Sequence, residues 1–283
     1  MNNFKQLYSD SKYDKPSVTV DAVIFRLVDV PSDNYRKLSE KKLQVYLINR
    51  RFDPYKGQYS VPGTFIDLNF ELNESMRLCV LNKVGLNNYY YEQLFTFGEK
   101  QRDPRSRVLS VAYMLLTPPE EPINDGEWFD VILSEETKKT TNGAEDITLT
   151  NTINLTLKND YKILSSILET TLQKKGINTD KNTRIISTEL AFDHIKIIYY
   201  ALERLKNKLE YTDIIFNLLP KKFTLTELKQ SYEVILQQKL LDANFRRKTA
   251  KLVQPIDEQV TGKGHRRSQL FIHNPLWILN NLD

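Results

Sequence analysis

Residues 241–273 form the stretch that decides the fold: LDANFRRKTAKLVQPIDEQVTGKGHRRSQLFIH. Its first part predicts a short helix with Asp242 as the N-cap. The side chains expected to face inward from this helix are Leu241, Phe245 and Leu252. The part that follows predicts two strands around a glycine-containing tip, which is a β-hairpin. A short helix followed directly by a hairpin with a basic tip is therefore expected at this end of the chain.

Further helices are predicted before this stretch. Asp193 is expected to cap a long helix with an apolar stripe. A short helix, YTDIIFNLLP, ends at Pro220, because proline cannot continue a helix. Thr224 and Glu227 form a T-x-x-E capping box that starts the next helix. Helices followed by a β-hairpin over a stretch of this length are the winged helix-turn-helix pattern.

The positive charge of the chain is concentrated in the same region. The sequence has 40 Lys and Arg against 36 Asp and Glu, a formal net charge of +4. Residues 221–268 carry eleven basic and five acidic residues, a net of +6, so the rest of the chain has a net of −2. Such asymmetry suggests binding to nucleic acid. The alternative is a winged helix that contacts protein, with the charge serving only solubility.

A helix fits the DNA major groove, where Arg and Asn can make bidentate contacts with base edges. A basic hairpin tip can reach phosphates or the adjacent minor groove. The residues predicted to contact DNA from the helices are Thr224, Asn244, Arg246, Arg247, Lys248 and Lys251. Those predicted in the hairpin tip are Lys263, His265, Arg266 and Arg267.

The N-terminal half predicts a sheet with one amphipathic helix. SVTVDAVIFRLVDV (17–30) is β-branched and almost continuously apolar, which indicates a buried strand. Further strands are predicted at LQVYLINRR (43–51), RVLSVAYMLLTP (107–118) and EWFDVIL (127–133). The amphipathic helix is predicted at about 73–84. The predicted fold class is therefore α+β.

Residues 134–187 differ from the rest of the chain in composition and patterning and are expected to be an insertion or a domain extension. SEETKKTTNGAED indicates a polar loop, and ITLTNTINLTL alternates like a two-stranded ribbon. DYKILSSILETTLQKK predicts a helix, because one helical face would carry Ile163, Leu164, Ile167, Leu168 and Leu172.

Composition excludes several classes of protein. Apolar residues make up 40% and charged residues 27% of the 283 residues, which is typical of globular domains. No apolar run approaches the ~18 residues of a membrane span, and the N-terminus lacks the apolar core of a secretory signal. The single cysteine, Cys79, precludes an internal disulfide and fits a reducing compartment. We therefore expect a cytoplasmic protein that does not contact membranes.

The motif V-P-G-T-F, a helix ending in G-L, and R-D-P-R-S-R followed by S-V-A-Y resemble a Nudix domain. They are most similar to the Nudix module of the Nudix-related transcriptional regulators. L-A-F-D-H-I-K-I-I-Y-Y-A-L-E-R-L and L-D-A-N-F-R-R-K resemble that family's link and winged helix. The resemblance covers most of the chain except about 134–187. It implies a Nudix-like α/β/α sandwich with a mixed sheet over 1–190 and a winged helix-turn-helix over 191–283.

The chain departs from this family of folds at the Nudix box, G-x5-E-x7-R-E-U-x-E-E-x-G-U, whose glutamates hold divalent cations. The box is aligned on Gly85, because a helix end favours a residue with positive φ. The glutamate positions then fall on Phe70, Cys79, Asn82 and Lys83. A register shifted by one residue recovers Arg77 as the box arginine but places Leu78, Leu81 and Asn82 at glutamate positions. No catalytic residue, metal ligand or cofactor is therefore predicted. The nearby Glu71 and Glu74 are interpreted as helix-start residues favoured by the helix dipole.

The resemblance implies a regulator that binds ADP-ribose, or a related nucleotide or sugar effector, without hydrolysing it, and that then changes its affinity for an operator. It implies an effector pocket lined by Arg50, Arg51, Phe65, Arg102, Arg105 and Arg107. Arginines bind phosphates bidentately. The alternative for the last three is a surface turn with ion pairs to Asp103.

We expect a homodimer on double-stranded DNA, because winged-helix modules usually bind paired half-sites. A second function stays open, that of a divergent Nudix hydrolase of ADP-ribose or another nucleoside diphosphate derivative. It would require magnesium and carboxylates outside the box.

Overall fold

Ten of the strands form one mixed sheet. The computed structural model describes residues 14–30, 39–119, 124, 126–142, 146–175, 177–260 and 268–277. The strands in chain order are β1 (Ser17–Val30), β2 (Glu40–Asn49), β3 (Tyr59–Ser60), β4 (Gly63–Phe65), β5 (Tyr90–Phe97), β6 (Val108–Leu116), β7 (Gly126–Asn142), β8 (Asp146–Lys158), β9 (Ile163–Lys175), β10 (Asn178–Thr188), β11 (Val253–Val260) and β12 (Ser268–His273). The helices are α1 (Leu72–Val84), α2 (His194–Lys208), a 3-10 helix (Ile214–Leu218), α3 (Leu225–Leu236) and α4 (Asp242–Thr249). None of these helices is long and apolar enough to cross a membrane.

The strand order places β1 near the centre of the sheet. The order is β10-β9-β8-β7-β2-β1-β6-β5, with β3 beside β2 and β4 beside β1. β1 runs parallel to β6 and antiparallel to β2, so the predicted mixed sheet is confirmed. β11 and β12 form a separate two-stranded hairpin.

Both faces of β1 are covered, which explains its nearly continuous apolar sequence. On one face, β1 and α1 share a cluster that includes Val20, Ala22, Ile24, Met76, Val80 and Val84. On the other face, β1 contributes to a cluster with α2, α3 and α4 that includes Val23, Phe25, Leu27, Ile198, Leu228 and Phe245. The layers are therefore helix, sheet and helix, as predicted, and the C-terminal helices pack directly on the sheet.

Both ends of α1 follow from local sequence. Glu71 and Glu74 form a capping box in which the Glu71 N–H donates to Glu74 Oε2 at 2.9 Å. Gly85 follows the last turn with φ of 81°, a conformation that glycine adopts without strain. The predicted helix and its glycine end are confirmed.

The segment 134–187 forms an extension of the main sheet, and the three local predictions made for it are wrong. The stretch expected to be a polar loop continues strand β7 as far as Asn142. ITLTNTINLTL is a single strand within β8, which pairs with β7 on one side and β9 on the other. The stretch expected to be a helix contains β9.

Two periodicities compete in the sequence of β9. Leu164 and Leu168 are four residues apart and fit a helical face, but the residues between and beyond them at 166 and 170 are also buried. The hydroxyl of Ser166 pairs with that of Thr188 at 2.9 Å. Similarly, Thr170 pairs with Thr183 at 3.1 Å. Partners on β10 thus satisfy the buried hydroxyls, and pairing with distant strands overrides the local helical pattern.

The C-terminal region has the predicted winged-helix elements. Phe245 and Leu252 are buried as expected. Leu241 is exposed, contrary to prediction, because it is the N-cap of α4 and its backbone is extended there, outside the helical face. Asp242 is the first helical residue and not the N-cap, and its carboxylate pairs with Lys229.

Thr224 begins α3 through a reciprocal capping box. Its hydroxyl accepts a hydrogen bond from the Glu227 N–H at 3.2 Å, while the Thr224 N–H donates to Glu227 Oε2 at 2.7 Å. We expect Thr224→Ala to lower the free energy of unfolding by about 0.5–2 kcal/mol, as measured by urea denaturation. Thr224→Ser, which keeps the hydroxyl, should restore most of the loss. An unchanged denaturation midpoint for Thr224→Ala would contradict this role.

Candidate functional site

A cavity of ≈ 420 Å³ lies where the sheet, the end of α1 and the start of α2 meet. Among the described residues that line it, two side chains are acidic, Asp21 and Asp103. Five are basic: Arg50, Arg51, Lys83, Arg102 and Arg105. A concave site with this excess of positive charge attracts anions.

Five of the six residues predicted to contact an effector line this cavity. They are Arg50, Arg51, Phe65, Arg102 and Arg105. Arg107 is exposed and does not line it. The physical reason is strand geometry: Val108, the first residue of β6, faces the cavity, and successive residues of an extended chain point in opposite directions.

Aromatic rings and guanidinium groups alternate around Phe192. The Arg50 guanidinium carbon lies 4.6 Å from the ring centroid of Phe192, and that of Arg105 lies 5.7 Å from it. Arg105 is also 5.6 Å from the centroid of Phe65. Tyr55 packs edge-on against Phe192, with the ring centroids 4.7 Å apart. Aromatic faces can stack on a nucleobase and guanidinium groups can bind phosphate, so this lining suits a nucleotide.

Arg102 ties the loop before β6 to the start of α2. Its guanidinium donates to Asp193 Oδ2 from Nε at 3.0 Å and to Asp193 Oδ1 from Nη2 at 2.7 Å. Both side chains are buried, and Asp21 lies 3.8 Å from the same Nη2. Asp193 is the N-cap residue of α2, as predicted, but its carboxylate is engaged by Arg102 and makes no capping hydrogen bond.

Arg105 and Asp103 form the ion pair proposed as the surface-turn alternative. Arg105 Nη2 donates to Asp103 Oδ2 at 2.7 Å, and the Arg105 side chain is 44% exposed. Burial alone would raise the pKa of Asp103, but the hydrogen bonds from Arg105 outweigh it, so the pKa is lowered. Asp103 therefore stays ionised and partly neutralises Arg105.

Arg50 and Lys83 differ from Arg102 and Arg105 because their side chains donate to backbone carbonyl oxygens and not to aspartates. The Arg50 Nε donates to the carbonyl oxygen of Pro54 at 2.9 Å, and Lys83 Nζ donates to the carbonyl oxygen of Gly63. Neither pairs with a carboxylate of the described residues. Burial, and then repulsion from Arg105, lower the pKa of Arg50. An anion in the cavity would relieve this repulsion.

Phe192 and His194 are among the lining residues that sequence reasoning missed. The imidazole of His194 is buried and its Nδ1 accepts a hydrogen bond from the Val61 N–H at 3.2 Å. Burial lowers the pKa of His194, which favours the neutral ring. Both residues lie in the run A-F-D-H (191–194), whose family resemblance indicates a link between domains and not a ligand contact. The start of α2 is therefore part of the cavity wall.

The cavity does not fit the divalent cation that Nudix hydrolases use. Asn82 and Lys83 line it at the positions of the paired box glutamates. The carboxylate of Asp21 is already hydrogen-bonded by the hydroxyl of Ser110. In the part of the chain that the structure describes, no group of three His, Cys, Asp or Glu side chains could hold a metal.

The predicted DNA contacts of the helices lie on an exposed surface of α4 and just beyond it. The exposed residues are Asn244, Arg246, Arg247, Lys248 and Lys251. The buried side chains of Phe245 and Thr249 hold this helix against the domain. Lys248 pairs with Glu210 at 3.1 Å, which leaves the two arginines as the stronger candidates for contact with bases.

The remaining predicted DNA contacts are Thr224 and the four residues of the hairpin tip. Thr224 is buried and its hydroxyl is engaged in the capping box, so it is not available for DNA, contrary to prediction. Lys263, His265, Arg266 and Arg267 lie outside the described residues, and their role stays a prediction.

These two sites define a class of protein in which a Nudix-like domain is joined to a winged helix. Residues 215–272 match the model of the NrtR DNA-binding winged helix domain. The chain is 30% identical over 275 residues to the ADPR responsive transcriptional repressor NtrR of Acinetobacter baylyi, covering 95% of this chain and 86% of that one. The chain belongs to the NrtR family of Nudix-related transcriptional regulators.

Solved structures show the same fold. A MutT/nudix family protein from Enterococcus faecalis, 23% identical, matches with a TM-score of 0.65 over 96% of this chain and 91% of its own. Shewanella oneidensis NrtR complexed with a 27mer DNA, 23% identical, matches with a TM-score of 0.60 over 92% of this chain and 94% of its own. At these identities the similarity shows the fold alone. The matches cover 96% and 92% of this chain, so they include both its N-terminal and its C-terminal half.

Proposed function

We propose that this protein is a cytoplasmic, homodimeric transcriptional regulator in which ADP-ribose, bound in the cavity of the Nudix-like domain, changes operator binding by the winged helix. The observation that carries the proposal is that the start of α2 forms part of the wall of the cavity in the Nudix-like domain. Phe192 and His194 line it, and they lead directly into α2, the helix that enters the winged helix. The relative in Acinetobacter baylyi, described as an ADPR responsive repressor, supports the choice of effector.

The chemistry of the lining supports a nucleoside diphosphate as the ligand class. Phe65 and Phe192 offer rings for a base. The guanidinium carbons of Arg50 and Arg105 lie 4.6 Å and 5.7 Å from the ring centroid of Phe192, so both are available to a diphosphate beside that ring. Bidentate hydrogen bonds from guanidinium groups give both charge and orientation. A neutral sugar would leave the positive charge of the Arg50 side chain without an anionic partner, so a sugar suits this cavity less well than a nucleoside diphosphate.

Binding without hydrolysis is part of the same proposal. Glu71 and Glu74, the acidic residues nearest to the box, are engaged with each other's backbone in the cap of α1. The carboxylates of Asp21 and Asp103 do line the cavity, but Ser110 and Arg105 already donate hydrogen bonds to them. The divergent-hydrolase alternative would have to break these contacts to hold magnesium, and we propose no cofactor. Magnesium-dependent release of AMP from ADP-ribose by the purified protein would overturn this part of the proposal.

Transmission from the cavity to the winged helix would use α2. Arg102 on one side of the cavity holds Asp193 at the start of α2. In addition, Lys196 pairs with Glu99, and Lys208, at the far end of α2, pairs with Glu92 of β5. A ligand that favours one position of α2 would shift the population of winged-helix arrangements, and operator affinity would change with it.

The test is a titration of the protein with its own upstream DNA, followed by fluorescence anisotropy, with and without ADP-ribose. We expect ADP-ribose to change the apparent Kd for DNA by about 5–150-fold. Because coupling between two sites is reciprocal, the DNA should change the Kd for ADP-ribose by the same factor. AMP with ribose 5-phosphate, added as separate molecules, serves as the ligand control. No shift at saturating ADP-ribose would refute the proposal.

A further inference from the structure

Lys83 occupies an unusual position for a cation in a Nudix-like fold. It stands where the last glutamate of the box would hold the metal, and it lines the cavity together with Asn82 and Gly63. Its Nζ donates to the carbonyl oxygen of Gly63, at the start of β4. The ammonium group is therefore fixed at the wall of the cavity.

The fold favours a positive charge at this point. Lys83 lies in the last turn of α1, where the helix dipole stabilises cations. An ammonium group has three donors, and the Gly63 carbonyl uses one of them. Among the described side chains, no carboxylate forms an ion pair with Lys83, whereas Arg102 and Arg105 are each paired with an aspartate. Lys83 therefore keeps both charge and hydrogen-bonding capacity for a ligand.

The surrounding backbone makes this wall rigid. A side chain at Gly63 would collide with Asp21, because an added Cβ would lie 1.9 Å from Asp21 Oδ1. Asp21 is in turn held by the hydroxyl of Ser110. The carbonyl that positions Lys83 thus belongs to a segment that is closely packed against β1.

We propose that Lys83 takes the place of the divalent cation as the counter-charge for the diphosphate, so that the effector binds in the absence of metal. The inference rests on the proposed function, since it concerns the same cavity and ligand. Arg50 lines the same cavity and also lacks a carboxylate partner among the described residues, and it would contact the diphosphate alongside Lys83. A fixed ammonium supplies the charge that magnesium supplies in a hydrolase, but it cannot activate water as a metal does.

The experiment measures the Kd of ADP-ribose for the full-length protein by isothermal titration calorimetry, once in EDTA and once in millimolar magnesium. We expect the same Kd, within about twofold, in both solutions, because phosphate affinity then depends on side chains alone. Lys83→Gln should weaken binding by about 10–100-fold, the loss of a hydrogen bond to a charged group. Lys83→Arg should recover most of the affinity. Lys56→Gln, which removes an exposed lysine outside the cavity lining, is the matched control and should leave the Kd unchanged.

The outcomes separate this inference from the proposed function. If the wild-type protein binds no ADP-ribose in either solution, the proposed function fails. If it binds only with magnesium, or if Lys83→Gln binds like the wild type, the proposed function stands and the role of Lys83 is refuted. The comparison of EDTA with magnesium uses the wild-type protein, so it decides the metal question even if a variant does not fold.

Discussion

Replacing Arg246 and Arg247 together by alanine should reduce operator affinity about 100-fold or more, because each bidentate contact with a base is worth about 1–3 kcal/mol. Both arginines are exposed on α4, and the buried Phe245 and Thr249 keep the helix in place without them. The substitution should therefore leave folding intact. ADP-ribose binding in the proposed cavity, measured without DNA, should also be unchanged, because neither arginine lines that cavity.

A matched control distinguishes recognition from general electrostatic attraction. Lys174→Ala with Lys175→Ala removes two exposed positive charges from the end of β9. We expect this variant to bind the operator as the wild type does. The measurement is fluorescence anisotropy at two salt concentrations, where the loss of each phosphate contact reduces the slope of log K against log salt by about one. Equal loss in both double variants would show that α4 does not recognise the operator.

Replacing Arg102 by alanine should lower the free energy of unfolding by about 3–5 kcal/mol, because it removes one partner from a buried ion pair. The Arg102 and Asp193 side chains are only 4% and 7% exposed, and Asp21 is 3.8 Å from the same guanidinium. Without Arg102, two carboxylates would remain buried with no cation between them. The measurement is urea denaturation followed by circular dichroism.

The same loop provides the control for this prediction. Arg105 makes an equally short bidentate pair with Asp103, but its own side chain is 44% exposed. Arg105→Ala should cost less than Arg102→Ala, although the Asp103 side chain is only 5% exposed, because a single carboxylate is left and it keeps the hydrogen bond from the backbone N–H of residue 105. Arg102→Ala combined with Asp193→Ala should be more stable than Arg102→Ala alone, since one buried charge is then removed. Similar destabilisation by Arg102→Ala and Arg105→Ala would contradict the structural role of Arg102.

The parts of the fold that could be predicted from sequence are those with a local cause. The capping box at Thr224 and the glycine end of α1 need only neighbouring residues, and both occur where expected. Glu71 and Glu74 lie at the start of α1 as expected, but the capping box that they form was not predicted. The sequence of β9 has no such local signal. Leu164 and Leu168 fit a helix or a strand equally well, and the choice depends on hydroxyl partners and backbone pairing supplied by β8 and β10.

In the candidate site, too, residues close together in sequence could be predicted, whereas contacts between distant parts of the chain could not. The arginines of the loop 102–107 are visible in sequence as a charged cluster, and two of the three line the cavity. Phe192 and His194 reach it from a different part of the chain, so no spacing rule connects them with Arg50 or Phe65. The partner of Arg102 was also inaccessible to sequence reasoning, because Asp193 has an equally reasonable local role as a helix cap.

The outermost strand of the extension, β10, forms an edge of the long sheet, and its sequence affects whether the sheet can associate with another molecule. A free edge presents unpaired N–H and C=O groups that can recruit a strand from another molecule and start aggregation. β10 carries Asp180, Lys181 and Arg184, and its pairing with β9 shifts register between Ile185 and Ser187. Arg184 is held by Glu169 at 2.7 Å. Charges and an irregular edge both oppose the addition of a strand, so the sheet can extend this far from its covered core while the edge stays protected from self-association.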